Sequence, residues 1–235
     1  MKLRIYLTEN TRGVPFNYAS ELSLIFHGWT GLESAYDELV LYSVGWLSGR
    51  HVEHRPETSR QRREGALFFQ GGARWDIGIY DQALAQNLLD RLPQLDMSFY
   101  GMQVQQAELI PAPAEAFGMG NHRFLANSPV LLRQFKDDDT DVHLTFRDSE
   151  SGRIMTDLAH RKADLANLPE EEVKLFFDPN FRNAKTRLID IRGAKMKASV
   201  CPVIVYASPQ MLDFIWTVGI GELCGLGFGS LYHTA

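Results

Sequence analysis

The sequence predicts an α+β protein built from two βαββαβ units in tandem, each a sheet with helices on one face. Two observations carry this. The order strand, helix, strand, strand, helix, strand can be read along residues 1–110, and roughly again from residue 123 to the end. Between the two runs, PAPAEAFGMG (111–120) interrupts with residues that favour irregular chain. The expected units are residues 1–112 and 120–235. Length and composition agree: 235 residues, 45% hydrophobic and 23% charged, suit one large domain or two of about 110 residues.

KLRIYLTE (2–9) alternates apolar and polar residues, as a half-buried strand does. YASELSLIFHGWTGL (18–32) places Leu22, Leu24, Ile25, Phe26 and Trp29 on a helix with Gly31 near its end. LVLYSVGWLSG (39–49) reads as a buried strand. ALFFQ (66–70) and ARWDIGIY (73–80) flank Gly71 and Gly72 and predict a hairpin. DQALAQNLLDRL (81–92) is a helix capped by Asp81 and ended by Pro93. MSFYGMQVQQAELI (97–110) closes the first half as a strand.

In the second half, RFLANSPVLLRQ (123–134) and DVHLTF (141–146) read as strands, and SGRIMTDLAHRKADLANL (151–168) as a helix. TRLIDIRGAKMKASVCPVIVYA (186–207) predicts two strands bent at Gly193. SPQMLDFIWTVGIGEL (208–223) is a helix with Ser208 as cap and Pro209 at its first position. A short strand, GSLYH (229–233), follows.

No apolar run reaches the roughly 18 residues of a membrane span, and MKLRIYLTENTRG lacks a signal-peptide core, so a soluble cytoplasmic chain is expected. Cys201 and Cys224 have no zinc-type spacing and read as cytosolic thiols. The net charge of −5 hides a distribution. Acids bunch at 136–141 and 169–172, bases at 49–64 and 185–197, so an acidic total is compatible with one basic face.

GIGELCGLGFGS (219–230) holds five glycines: Gly219, Gly221, Gly225, Gly227 and Gly229. It is not a dinucleotide fingerprint, because three residues separate its second and third glycines and no chain remains for the helix that must follow. It is not a P-loop, because no Lys-Ser or Lys-Thr pair ends it. A helix cap plus a tight turn accounts for one or two of the glycines. The other reading is a bare backbone that approaches phosphates or a polynucleotide chain. The pattern alone leaves both open.

A helix followed by GIGELCGLGFGSL resembles the C-terminal glycine-rich signature of the CRISPR repeat-processing endoribonucleases of the RAMP superfamily. The resemblance extends through RLIDIRGAKMKASVCPVIVYASPQMLDFIW, through FLANSPVLL (124–132), and to Pro15, Phe16 and Asn17 after the first strand. Residues 135–183 match in length only. It implies tandem ferredoxin-like (RRM-like) domains and metal-free, cofactor-free cleavage of CRISPR precursor RNA within repeats. In that reaction the 2′-hydroxyl attacks the adjacent phosphate and leaves a 2′,3′-cyclic phosphate. The glycine loop would then lie against RNA. Repeat RNA is the implied partner, with room for other CRISPR effector subunits and for a homodimer.

Such cleavage needs a base, an acid and a cation near the phosphorane, and histidine suits the proton transfers. His27 falls on the first helix, where the resemblance places a catalytic side chain. The family often adds a tyrosine or histidine about fifteen residues on, and Tyr42 stands there. It then adds a lysine, and here the chain departs. No lysine occurs between Lys2 and Lys136, so Arg50 is the nearest cation. The expected catalytic set is His27, Tyr42 and Arg50, with Tyr42 a core residue instead if LVLYS is a central strand.

His51 and His54, among arginines, suit either a solvated loop or an RNA contact, and lack the further ligands of a metal site. Arg187, Arg192, Lys195 and Lys197 are expected to bind phosphates together with the five glycines, Arg187 forming a stripe with Lys195 or Lys197. Phe228 and Tyr232 either stack on bases or anchor the loop. The rival reading is a noncatalytic RAMP subunit that grips guide RNA in an effector complex.

Overall fold

In the computed structural model, residues 1–32, 39–55, 65–111, 120–135, 141–191 and 193–233 are described. The first half contains β1 (Lys2–Leu7), β2 (Val14–Pro15), α1 (Ala19–Thr30), β3 (Tyr42–Val44), β4 (His51–His54), β5 (Ala66–Phe69), β6 (Ala73–Ile79), α2 (Gln82–Arg91) and β7 (Val104–Ile110). The second contains β8 (Gly120–Ala126), β9 (Leu132–Phe135), β10 (Asp141–Leu144), α3 (Ser151–Leu165), β11 (Lys174–Phe177), β12 (Lys185–Ile191), β13 (Ala194–Val200), β14 (Val203–Ala207), α4 (Pro209–Val218) and β15 (Leu231–Tyr232).

Two four-stranded antiparallel sheets result, in the orders β3-β6-β1-β7 and β11-β14-β8-β15. Leaving out the small sheets, each order is second, third, first, fourth. The same ferredoxin-like topology is therefore built twice. Alternation explains which face each sheet buries. Leu3, Ile5, Leu7, Trp75 and Ile77 pack in one core with Leu22 and Phe26 of α1 and Leu88 of α2. Phe124, Val203 and Val205 pack in another with Met155 of α3 and Leu212 and Ile215 of α4. The helix starts follow the local chemistry. Asp81 accepts from the Leu84 amide at 3.0 Å, and Ser208 accepts from the Met211 amide at 3.2 Å with Pro209 behind it.

Three expectations need correction. β5 and β6 are not a hairpin: β5 pairs with β2 and β4, whereas β6 pairs with β1 and β3. Gly71 and Gly72 instead carry the chain between sheets. Gly72 has φ +92°, and a Cβ there would stand 2.2 Å from the Leu7 carbonyl. Residues 186–207 form three strands, not two. Gly193 turns the β12–β13 hairpin, and Cys201-Pro202 interrupts before β14 because proline has no N–H for a ladder. β11 was missed, because four residues after an acidic run give too little periodicity. Among the described residues no helix is long and apolar enough to cross a membrane.

Candidate functional site

On α1, Leu22, Phe26 and Trp29 take the core face, and Ser23 and His27, four residues apart, lie one above the other beside it. Ser23 is 1% and His27 8% exposed. The helix ends where Gly31, at φ +70°, donates its N–H to the His27 carbonyl at 2.8 Å. Tyr42, the first residue of β3, is 9% exposed and sets its ring against Phe26, centroids 5.1 Å apart. This places its hydroxyl 2.9 Å from His27 Nε2. His27 Nδ1 lies 3.2 Å from Ser23 Oγ, which donates to the Gly225 carbonyl at 2.7 Å. The histidine and tyrosine singled out through the family resemblance therefore meet, on the glycine loop.

That loop arrives from the second half and is buried. Side chains of the first half donate to its carbonyls and those beside it: Ser43 to Thr217 at 2.8 Å, Trp46 Nε1 to Gly227 at 2.7 Å, and Lys2 Nζ to Leu231. Lys162 Nζ reaches the Gly219 carbonyl and Cys224 Sγ, both at 3.1 Å. Burial pushes the Lys2 ammonium down to about 7, although Asp76 opposes the shift.

The five glycines, expected to lie against RNA, have protein beside each α-carbon, so the fold itself accounts for their missing side chains. A Cβ at Gly225 would stand 2.7 Å from the Tyr42 ring, and one at Gly227 2.9 Å from Ala19 Cβ. At Gly219, Gly221 and Gly229 it would meet backbone oxygens of Gly229, Leu131 and Ile220. The amides of Gly219 and Gly229 already donate to the Ile215 and Pro129 carbonyls. Phe228 is fully buried with Leu131, Ile191 and Met196, so it anchors the loop and does not stack on bases. Tyr232 is half-buried on β15.

A cleft of about 700 Å³ opens between β4–β5 and the β12–β13 hairpin, with Phe16, Trp46, Phe69, Arg55, Arg187 and Lys195 in its walls. The Arg187 guanidinium lies 5.4 Å from the Trp46 ring, and that of Arg55 5.2 Å from Phe16. Asn17 Nδ2, at the foot of α1, donates to the Asp190 carbonyl at 2.7 Å and ties the two walls together. Register divides the expected basic stripe. Arg187 pairs with Ala198 and shares the face of Ile189 and Met196, whereas Lys195 and Lys197 pair with Asp190 and Leu188 on the other face. Arg192 lies outside the described residues.

Arg50 is exposed in a separate concavity beside Gly71, Gly72 and Arg74, and neither His27 nor Tyr42 lines it. The structure thus pairs His27 with Tyr42 and sets Arg50 apart. His51 and His54 are on a strand, not in a loop, and three residues apart they point to opposite faces. Among the described residues, no group of three or more His, Cys, Asp or Glu could hold a metal ion. Two residues went unnoticed in the sequence. Ser23 had a usable signal, four residues before a candidate histidine on a helix. Trp46 had none, since a tryptophan in an apolar strand reads as core.

Two ferredoxin-like units of one strand order, clasped through a buried glycine loop, define the class of fold. The family follows from the sequence comparison. The family model "CRISPR associated protein Cas6, C-terminal" matches residues 112–232, more than half of the chain, so the chain belongs to the CRISPR-associated Cas6 family. No curated protein matches it. Among solved structures it is similar to a "CRISPR associated protein Cas6" at TM-score 0.79 and 15% identity, covering 100% of this chain and 99% of that one. A Cas6-related protein from Pyrococcus furiosus gives TM-score 0.77 at 17% identity over 99% and 97% of the two chains. "An RAMP protein binding different RNA substrates" gives 0.77 at 13% identity over the whole of both. At such identities the likeness concerns the fold.

Proposed function

We propose that the chain is a metal-independent endoribonuclease that cleaves CRISPR precursor RNA within its repeats. The observation that carries the reading is the 2.9 Å hydrogen bond between His27 Nε2 and the Tyr42 hydroxyl. An imidazole is half-ionised near neutrality and can take the proton of a 2′-hydroxyl, whereas a phenol with a pKa near 10 is a poor base on its own. Tyr42 serves as the relay. As its oxygen receives the substrate proton, it passes its own to Nε2. The 2′-oxygen then bonds to phosphorus, the bond from phosphorus to the 5′-oxygen breaks as that oxygen takes a proton from water, and a 2′,3′-cyclic phosphate and a 5′-hydroxyl remain. Both side chains expose only a thin edge, so the reacting hydroxyl meets the pair there. The RNA is held elsewhere, in the cleft of Arg187 and Trp46. The two units carrying these parts are proposed to divide between residues 112 and 120.

Incubated with repeat RNA in EDTA, the protein is expected to cut at one position and leave cyclic-phosphate and 5′-hydroxyl ends. Uncut RNA that is nevertheless bound would support the second reading, a noncatalytic RAMP subunit that holds guide RNA beside other effector subunits. What favours that reading is the burial of His27 and Tyr42, each about nine-tenths covered in the free protein.

Repeat-RNA affinity is expected to fall as salt rises, because phosphate contacts release counterions. Arg187→Gln should weaken binding and lower the salt slope by about one phosphate contact. Lys197→Gln, outside the cleft that Arg187 and Lys195 line, tests the opposite face of the hairpin. If only the lysine variant changes the affinity, RNA runs over that outer face and not through the cleft.

A further inference from the structure

We propose that Ser23 is a positioning residue for His27, holding the imidazole in its Nδ1–H tautomer through a hydrogen-bond chain that starts at the Gly225 carbonyl. A backbone carbonyl can only accept, so the Ser23 hydroxyl proton lies on the 2.7 Å line to Gly225. The Ser23 oxygen then has only acceptor capacity to offer at 3.2 Å, and Nδ1 must be the donor. In a neutral imidazole this leaves Nε2 bare, and the Tyr42 hydroxyl at 2.9 Å donates to it. The chain runs from tyrosine to histidine, from histidine to serine and from serine to the loop. Ser23 is 1% exposed, so water has little access to take its place.

The consequence for chemistry rests on the endoribonuclease reading, but the tautomer does not. With Nδ1 protonated, the nitrogen facing Tyr42 is free to take a proton. With the opposite tautomer it is not. The carbonyl that decides this belongs to the second half, 202 residues from Ser23 in sequence. The first half carries the base, and the second sets which of its nitrogens is basic. The glycine at 225 serves the same end, because a side chain there would push the Tyr42 ring off its contact.

The test is nitrogen NMR of the histidine rings in the intact protein, His27 being assigned by its absence from the His27→Ala spectrum. At a pH where His27 is neutral, Nδ1 should carry the proton. Ser23→Ala should populate the Nε2–H form, and Ser23→Thr, which keeps a hydroxyl, should restore the parental spectrum. Single-turnover cleavage at saturating repeat RNA should fall by about 10- to 100-fold in Ser23→Ala, the range for partners that orient a metal-bound histidine, with RNA affinity unchanged. A parental His27 protonated on Nε2 overturns the proposal. So does a folded Ser23→Ala protein that keeps both the parental tautomer and the parental rate. The parental spectrum alone decides the tautomer should Ser23→Ala fail to fold. If the protein cuts no RNA but shows the Nδ1–H form and its loss in Ser23→Ala, the tautomer assignment stands and the endoribonuclease reading fails.

Discussion

His27→Ala is expected to abolish repeat-RNA cleavage while leaving RNA binding largely intact. Losing a general base costs about 10²–10⁴-fold in rate, well above the scatter of a cleavage assay. Binding survives because the cleft residues Trp46 and Arg187 lie toward the other end of α1, beside Tyr18 and Asn17. The burial of His27 makes a control essential, since truncating a packed side chain can lower activity through stability. The variant should therefore be measured below its melting transition, with its affinity for uncut RNA beside its single-turnover rate. A folded His27→Ala protein that cuts at the parental rate removes this residue from the mechanism. Weakened binding with an unchanged rate would do the same, and would make His27 part of the RNA-holding surface.

The largest effect on stability is expected from Gly229→Ala. Gly229 adopts φ +61°, where a Cβ costs roughly 1–2 kcal/mol, and that Cβ would stand 1.8 Å from the Ile220 carbonyl. Backbone cannot swing aside as a flexible side chain can, so the loop must shift, at a further cost of about 1–3 kcal/mol. For a chain of this length the sum lowers the melting temperature by roughly 5–15 °C. Gly28→Ala is the contrasting substitution. Nothing lies within 4 Å of its Cβ position on α1, and alanine there should raise stability by about 0.5–1 kcal/mol. Equal melting temperatures for Gly229→Ala and the parent would show that the loop tolerates a side chain, and its tight burial would then not be the reason for the glycines.

The two substitutions bear on one question, why a protein of this family carries so many glycines near its C-terminal end. A loop that gripped RNA would tolerate Gly229→Ala in the free protein and lose affinity. A loop that clasps the two halves loses stability first. Gly225 joins both themes, because its carbonyl receives Ser23 and its bare α-carbon lies against Tyr42.

By itself the sequence determined what neighbouring residues decide among themselves. Asp81 and Ser208 were readable as caps because the amides they accept from are three residues away. The alternation in KLRIYLTE marked the central strand β1, and two runs of the same element order marked a tandem fold. The spacing of His27 and Tyr42 was readable through family resemblance, and it proved to be a contact. Only the tertiary structure decided the pairings between distant segments. Residues 66–69 and 73–79 are both strands, yet which partner each takes depends on the whole sheet, so the expected hairpin was wrong. Arg50 is close to Tyr42 in sequence but leads into another sheet, and Arg187 and Lys197 are parted by strand register. The glycine loop is the clearest case. Five missing side chains say that something must come close, and a ligand or the protein itself satisfies that equally well. Folding fills the space with Tyr42, Ala19 and backbone carbonyls, contacts that run across most of the chain and leave no periodic mark along it.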